Sequence, residues 1–147
     1  MTDSKNLIED RYGYNFPIVD GINQTINILL NHRTCRKYEN QDIPDELLNL
    51  LLACAQSAPS KSNLQQYSIL VIRKLGIRTK IADLIPAMSW MSSAPIMLVF
   101  LGDVRRIRRL AKMRGYKYKN NNVDTFMNAS IDAALAMQSL ITGAESL

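Results

Sequence analysis

The first segment of the sequence that is suited to chemistry is His32-Arg33-Thr34-Cys35-Arg36, which follows an amphipathic stretch. Guanidinium groups bind phosphates through paired hydrogen bonds, and the threonine hydroxyl adds a short donor, so this segment could hold a phosphate or another anion. The alternative is a helix C-terminal cap, because Arg and His favour the negative end of the helix dipole. Spacing alone favours the cap.

A second polar segment, Ser60-Lys61-Ser62-Asn63-Leu64-Gln65, lies between an expected helix and an expected strand. It concentrates hydrogen-bond donors and acceptors at a place where ligands often bind in mixed α/β proteins. The alternative is an ordinary polar loop that is rich in turn-forming residues. On its own, the composition of the segment favours the ordinary loop.

Neither a metal site nor a covalent nucleophile is predicted from the sequence. Cys35 and Cys54 have no metal-ligand spacing and form no disulfide framework, so both are expected to be free thiols. No apolar run approaches the roughly 20 residues needed to cross a membrane. The first nineteen residues lack the pattern of a signal peptide. These observations predict a cytoplasmic protein.

Hydrophobic periodicity and capping residues predict the elements that must position the two segments. Asp20 is expected to cap a helix whose apolar positions Ile22, Ile26, Leu29 and Leu30 share one face. Pro44 suits the first turn of a second helix, with Asp45 and Glu46 favourably placed against its dipole. This helix is expected to end near Ala58-Pro59, and its apolar positions are Leu47, Leu48, Leu51 and Cys54 or Ala55. The elements expected after it are a strand over 67–72, a short helix around 76–84, a buried central strand over 96–101 and a basic helix after Asp103.

The sequence from Asp124 to Leu147 predicts one long helix, interrupted only by Gly143. Residues 133–137 are apolar on every side, which predicts a helix that is buried all round. The other expected elements offer little cover for such a helix. The sequence is therefore expected to stop before its fold is complete, with a dimer interface able to supply part of the missing cover.

Taken in order, these motifs resemble the nitroreductase superfamily, and within it the branch of oxygen-insensitive NADPH nitroreductases and NADPH-flavin reductases. Residues 29–38 align with the family's opening motif and residues 55–65 with its second motif. Residues 93–103 resemble its central strand and residues 132–147 its long central helix. The likeness spans roughly residues 25–147.

The resemblance implies a nitroreductase-like α+β sandwich, incomplete at its C-terminal end, that forms a homodimer with one FMN at each end of the interface. Residues 1–19 are expected to form a loosely ordered N-terminal arm ahead of this domain, which covers 20–147. The residues that would hold the FMN phosphate and ribityl chain are His32, Arg33, Thr34 and Arg36. Ser60 would reach the flavin from the opposite side, and the residues expected nearby are Ser62, Asn63 and Gln65.

The implied activity is transfer of hydride from NAD(P)H through bound FMN to a small-molecule electron acceptor, which would be a nitroaromatic, a quinone or free flavin. The cofactor carries this chemistry, so no catalytic side chain is expected. The sequence departs from the family pattern at Met88, where the family has Gln, and at Lys61, where it usually has Ser. It also ends at Leu147, before further FMN contacts of the family. A catalytically inactive, truncated remnant of such an enzyme is therefore the alternative.

The net charge of +5 comes from one segment of the chain. Eight of the 18 Lys and Arg residues lie in 105–119, which contains no acid, so the rest of the chain has ten cations against 13 anions. A basic nucleic-acid-binding module that uses 105–119 is therefore an alternative of another class. A solvated helix face is the commoner origin of such a pattern, so nucleic acid is not the expected partner.

Overall fold

A computed structural model describes residues 4–13 and 23–147 of the chain. The helices are α1 (Ser4–Tyr12), α2 (Gln24–Asn31), α3 (Asp45–Gln56), α4 (Leu75–Asp83), α5 (Arg105–Met113) and α6 (Val123–Glu145). The strands are β1 (Tyr67–Ile72) and β2 (Met97–Gly102), and 3-10 segments cover Lys61–Asn63 and Pro86–Ser93. None of the helices in the described part of the chain is long and apolar enough to cross a membrane.

The two strands pair antiparallel, with Tyr67 opposite Gly102 and Ile72 opposite Met97. The strand predicted over 67–72 is confirmed, and the one predicted over 96–101 begins and ends one residue later. The prediction that the latter is a buried central strand is wrong, because none of its residues is buried. A strand becomes central only when others flank it on both sides, and within the described residues β2 pairs with β1 alone.

The core lies where α6 crosses α3 and the sheet. Its buried residues are Leu51, Ala55, Ala136 and Leu140, and half-buried Tyr67, Ile69, Leu98 and Phe100 pack against them from the strands. Ala55 and Ala136 are both 0% exposed, so two alanines face the interior where α3 and α6 meet. The predicted apolar face of α3 is confirmed by the burial of Leu48, Leu51 and Ala55.

Helix α6 is buried on one face only, so the prediction that it is buried all round is wrong. The residues turned toward α3 and the sheet include Asp132, Ala133, Ala136 and Leu140. The exposed large apolar residues on the same helix are Val123, Phe126, Met127, Ile131, Leu135 and Met137. An apolar composition predicts that a helix seeks cover, but it does not say which neighbour covers each side. We call this second set the exposed α6 face.

The N-terminal residues also depart from expectation. Residues 4–12 form a helix whose Leu7 is 7% exposed and which packs against α2, so a loosely ordered arm is wrong for this part. The rest of 1–19, the boundary with the predicted domain and the expected cap Asp20 lie outside the described residues. Helix α2 begins instead after Asn23, whose side chain accepts a hydrogen bond from the backbone N–H of Ile26 at 3.2 Å.

The other predicted helices lie close to where the sequence placed them. Pro44 occupies the N-cap position of α3, one residue before the first turn, and Asp45 and Glu46 follow in that turn as expected. Helix α3 ends at Gln56, two residues before the predicted end, and α4 begins at Leu75. Such shifts of one or two residues are usual at helix ends.

Candidate functional site

The polar segment between α3 and β1, which we call the 60–66 loop, is attached to α6 through one buried carboxylate. Asp132 is 2% exposed. Its Oδ2 accepts hydrogen bonds from Ser60 Oγ at 3.2 Å and from the Gln66 backbone N–H at 3.0 Å, while Oδ1 accepts from the Lys61 N–H at 3.3 Å. A buried carboxylate requires such partners. Asp132 therefore joins both ends of the loop to α6.

Between these ends the backbone adopts an unusual conformation. Ser62, Asn63 and Gln65 have φ angles of 52°, 52° and 48°, in the left-handed region that non-glycine residues rarely occupy. Ser60 Oγ accepts a hydrogen bond from the Gln65 N–H at 2.7 Å, and Gln65 Nε2 donates to Asn63 Oδ1 at 3.4 Å. The structure thus brings Ser60, Ser62, Asn63 and Gln65 into one tightly folded loop.

A cation from the basic segment contacts the same loop. Arg106 donates hydrogen bonds to the backbone carbonyls of Leu64 and Gln65. Nearby, Arg105 pairs with Asp103, and Arg108 donates to Asn121 Oδ1 and lies over the Tyr118 ring at 5.6 Å. At least these three cations of α5 therefore make contacts within the chain.

The first chemical segment lies at the C-terminus of α2. Arg33 donates to the carbonyls of Leu30 and His32 at 3.2 and 2.8 Å, so the helix-cap interpretation is confirmed for this residue. Arg11 of α1 donates to the same two carbonyls, each at 3.0 Å. Sequence reasoning missed Arg11 because it lay in the segment that was expected to be loosely ordered. Two cations thus stabilise the negative end of one helix dipole.

The remaining residues of this segment differ in how they are engaged. His32 Nδ1 lies 2.6 Å from Glu145 Oε1, at the C-terminal end of α6. The guanidinium of Arg36 lies 5.8 Å from the centre of the Trp90 ring. Thr34 is exposed, and neither it nor Arg36 makes a hydrogen bond or ion pair within 4–13 and 23–147. Thr34 and Arg36 are therefore available to a ligand.

The structure does not bring the two segments together. His32 contacts α6 at Glu145, whereas Ser60 contacts it at Asp132, thirteen residues earlier. At the rise of an α-helix this separation is roughly 20 Å. The sheet shows the same separation. The 60–66 loop leads into β1 at Tyr67, which pairs with Gly102 at the end of β2. By contrast, Tyr38, two residues after the 32–36 segment, lines a groove with Pro95, which lies just before the start of β2. The chain therefore presents the 32–36 segment and the 60–66 loop as two separate candidate half-sites.

Asp103 directly follows the last residue of β2 and lies beside the 60–66 loop. Asp103 accepts hydrogen bonds from Ser68 Oγ at 2.7 Å and from the Arg105 N–H at 2.8 Å, and its own N–H donates to the Gln66 carbonyl. The Ser68 hydrogen bond, followed by that from Arg105, lowers the pKa of the Asp103 carboxyl below its ordinary value. The carboxylate of Asp103 therefore links β1 to α5, and its backbone N–H links both to the loop.

This geometry predicts a pH-dependent effect of Ser68→Ala. The pKa of Asp103 is lowered in the folded chain, so its contribution to stability is present above the unfolded pKa and is lost as the pH falls through the folded pKa. We expect Ser68→Ala to reduce the free energy of unfolding by about 1 kcal/mol at neutral pH. The difference from wild type should shrink below the folded pKa of Asp103. Urea unfolding across the acid range measures it, and a pH-independent difference would contradict this account.

Sequence reasoning missed two residues that shape the candidate site. Asp132 stands alone as an acid within the largely apolar run 129–137, and a charge on a buried face requires hydrogen-bond donors from elsewhere in the fold. That signal predicts a partner for Asp132 without naming it. Arg106 gave no such signal, because it is one of eight cations in its segment.

Comparison with known proteins finds similarity to one protein family over part of the chain. Residues 29–88 match the nitroreductase family. The FMN reductase NAD(P)H and the FMN reductase (NADPH) of Bacillus subtilis are 29% and 31% identical over 128 residues, covering 86% of this chain and 51% of each relative. The structure of B. megaterium NfrA2 superposes with a TM-score of 0.82 at 26% identity, covering 85% of this chain and 51% of that one.

The chain thus spans about half the length of the curated relatives that it matches. Within that half, the family match covers the sequence of both polar segments, and the described fold superposes on the solved structure. The expected α+β nitroreductase fold is confirmed. The chain is therefore similar to the nitroreductase family over residues 29–88, and its fold is similar to that of the superposed structure.

Proposed function

We propose that this chain forms part of an FMN-dependent NAD(P)H oxidoreductase. In this proposal Thr34 and Arg36, with His32 and Arg33, hold the phosphate and ribityl chain, and the 60–66 loop contacts the flavin ring. The observation that carries the proposal is the left-handed backbone conformation of three non-glycine residues in that loop. Residues in this conformation cluster at ligand sites and persist only where the surrounding structure imposes it. The two Bacillus subtilis relatives are both named FMN reductases.

The groups present at the two half-sites fit FMN. A phosphate needs cations and short donors, which Arg36 and Thr34 supply without giving up an existing hydrogen bond. A flavin ring needs donors toward its carbonyls and N1 and an acceptor toward N3–H. The loop offers the polar side chains of Ser62, Asn63 and Gln65. Next to them, the carboxamide oxygen of Gln66 is buried and accepts no hydrogen bond within the described residues.

The separation of the half-sites supports a homodimer. Because His32 and Ser60 attach to α6 roughly 20 Å apart along the helix, we place each FMN between the 32–36 segment of one protomer and the 60–66 loop of its partner. The exposed α6 face carries Phe126, which is 69% exposed, and Ile131, which is 50% exposed. Large apolar surfaces of this kind mark interaction sites, so this face is our candidate for the dimer contact.

The residues of this chain would bind and orient, while the redox chemistry comes from the cofactor. The chemistry that FMN supplies when bound is acceptance of hydride from NAD(P)H and its delivery to a small-molecule acceptor such as a nitroaromatic, a quinone or free flavin. Arg36 would neutralise the phosphate charge. The 60–66 loop would fix the plane of the ring. No side chain of this chain is required to transfer a proton at the reacting atoms.

FMN titration of the purified chain tests the proposal. The sequence contains one tryptophan, Trp90, whose ring lies 5.8 Å from the Arg36 guanidinium, so its fluorescence should report binding together with the quenching of FMN fluorescence. We expect saturable binding near one FMN per chain. Arg36→Gln should raise the Kd by about 10- to 100-fold, because it removes hydrogen bonds to a charged group worth about 1.5–3 kcal/mol.

The matched control is Lys37→Gln, which makes the same change of charge one residue along the chain. It should change the Kd by less than about threefold, since a screened surface charge contributes little. An equal loss in both variants would show nonspecific attraction of the anion. A folded chain that binds no FMN would overturn the proposal.

Two alternatives remain open to experiment. A chain that binds FMN but oxidises no NAD(P)H in the presence of a quinone or nitroaromatic would be a catalytically inactive relative. The basic nucleic-acid-binding module over 105–119 gains no specific support, because Arg105, Arg106 and Arg108 contact other parts of the chain. Oligonucleotide binding that falls steeply with salt would favour that module.

A further inference from the structure

The 60–66 loop is held by two side chains of opposite charge that contact different parts of its backbone. Asp132 accepts hydrogen bonds from the N–H groups of Lys61 and Gln66 and from the Ser60 hydroxyl, at the two ends of the loop. Arg106 donates to the carbonyls of Leu64 and Gln65, between those ends. The anion thus contacts donors, and the cation contacts acceptors.

The loop conformation needs such support from outside. Ser62, Asn63 and Gln65 all lie in the left-handed region, where an L side chain is unfavourable and where a residue stays only if the surrounding structure fixes it. Within the loop, the hydrogen bond from Gln65 Nε2 to Asn63 Oδ1 is long at 3.4 Å. The hydrogen bonds to Asp132 and Arg106 therefore provide much of the stabilisation of this loop conformation.

The contacts from Asp132 and Arg106 leave the loop's polar side chains available. Ser62 and Asn63 are exposed and Gln65 is half-buried, whereas Gln66 is 3% exposed. Both charges also act on Tyr67, the first residue of β1. Burial raises the pKa of its phenol, Arg106 opposes that rise and Asp132 adds to it. The two charges therefore act on the same short stretch of chain.

We infer that Asp132 and Arg106 are positioning residues that together hold the 60–66 loop in the conformation that receives the flavin ring. The role of the loop toward flavin rests on the proposed function, whereas its attachment to Asp132 and Arg106 does not. Neither residue is required to touch the cofactor. They act by fixing the positions of Ser60, Gln65 and Gln66 through hydrogen bonds.

Three variants separate this role from a general effect on folding or charge. Asp132→Asn keeps the size of the side chain but replaces one accepting oxygen with a donating amide, so at least one of the contacts to the loop is lost. Arg106→Gln removes the guanidinium from an exposed position, where misfolding is not expected. Arg109→Gln is the matched control, because it removes the same charge from the same helix and Arg109 makes no hydrogen bond or ion pair among the described residues.

Hydrogen-deuterium exchange of the 147-residue chain gives a readout that needs no cofactor. We expect exchange of the amides of Lys61, Gln65 and Gln66 to be at least about tenfold faster in Asp132→Asn and Arg106→Gln, with exchange in α4 unchanged. The FMN titration gives the second readout, and both variants should raise the Kd by about tenfold or more. Arg109→Gln should alter neither quantity.

The outcomes distinguish this inference from the proposed function. Unchanged exchange in the loop of the two variants overturns the inference, whether or not the chain binds FMN. Faster exchange with an unchanged Kd, in a chain that binds FMN, also overturns it. If exchange is faster in the two variants but the wild-type chain binds no FMN, the attachment of the loop is supported and the proposed function is overturned. Should Asp132→Asn fail to fold, Arg106→Gln and its control decide the question alone.

Discussion

Replacing Leu51 by alanine is expected to lower the free energy of unfolding by about 2–5 kcal/mol, the range for truncating a buried leucine. Leu51 is 7% exposed and belongs to the cluster formed with Ala55, Ala136 and Leu140, where α3 meets α6. Its loss leaves a cavity between elements that hold the sheet and, through Asp132, the 60–66 loop. Urea unfolding followed by circular dichroism measures the change.

The neighbouring residue provides the control. Leu50 is 53% exposed on the same helix, and alanine has a helix propensity at least as good as that of leucine. Leu50→Ala should therefore change the free energy of unfolding by no more than about 0.5 kcal/mol. Similar losses from both substitutions would show that the core does not lie at the contact between α3 and α6. A large loss from Leu50→Ala alone would show that a partner covers that side of α3.

The elements that were predicted well are those whose signals are local. Strand β1 came from a run of apolar and β-branched residues, and α3 from Pro44 with the acids after it and an apolar stripe. In each case, propensity, capping and periodicity point to the same result. These signals also set the boundaries of the elements to within one or two residues.

The features that were predicted poorly depend on contacts that sequence spacing does not contain. Apolar runs in β2 and α6 indicated burial, yet the side on which each is covered depends on neighbours that are distant along the chain. Helix α1 is short and has weak local signals, but it packs against α2 and its Leu7 is buried. Tertiary contacts override local preference in all three cases.

The candidate site divides in the same way. Residue types were enough to select the 32–36 segment and the 60–66 loop as polar segments suited to a ligand. Their separation was not predictable, since Ser60 and Asp132 are 72 residues apart in sequence and Arg106 and Leu64 are 42 apart. A residue that positions a loop from such a distance has no motif. Asp132 is recognised in the structure because it is a buried charge with hydrogen-bond partners on the loop. Arg106 is recognised only by its contacts with the loop.

The homodimer proposed above would link ligand binding to assembly. A single protomer satisfies the buried charge of Asp132 and fixes the loop, but it leaves Arg36 on an open surface and large apolar side chains on α6 without cover in the described part of the chain. If the second protomer supplies both the apolar cover and the other half of the ligand site, binding and dimerisation are thermodynamically linked. FMN should then promote association of the chain.

Replacing Gly143 by alanine is expected to destabilise the chain, although the local rule predicts the opposite. Within a helix, alanine is more favourable than glycine by up to about 1 kcal/mol. At Gly143, however, an added Cβ would lie 2.9 Å from Cys54 Sγ, closer than such atoms pack, and 3.2 Å from Cys54 Cβ, which is tighter than most Cβ contacts. Separating α6 from α3 to relieve this contact should cost about 1–3 kcal/mol and outweigh the helix preference.

Two further variants test whether the contact with Cys54 is the cause. Gly76→Ala in α4 places a Cβ with nothing within 4 Å, so it should stabilise the chain by up to about 1 kcal/mol. Cys54→Ala removes the sulfur, so Gly143→Ala should cost less in that background, as a double-mutant cycle of unfolding free energies would show. If Gly143→Ala instead stabilises the chain as much as Gly76→Ala does, α3 and α6 are not in close contact at this position, because a tight contact leaves no room for the added methyl group.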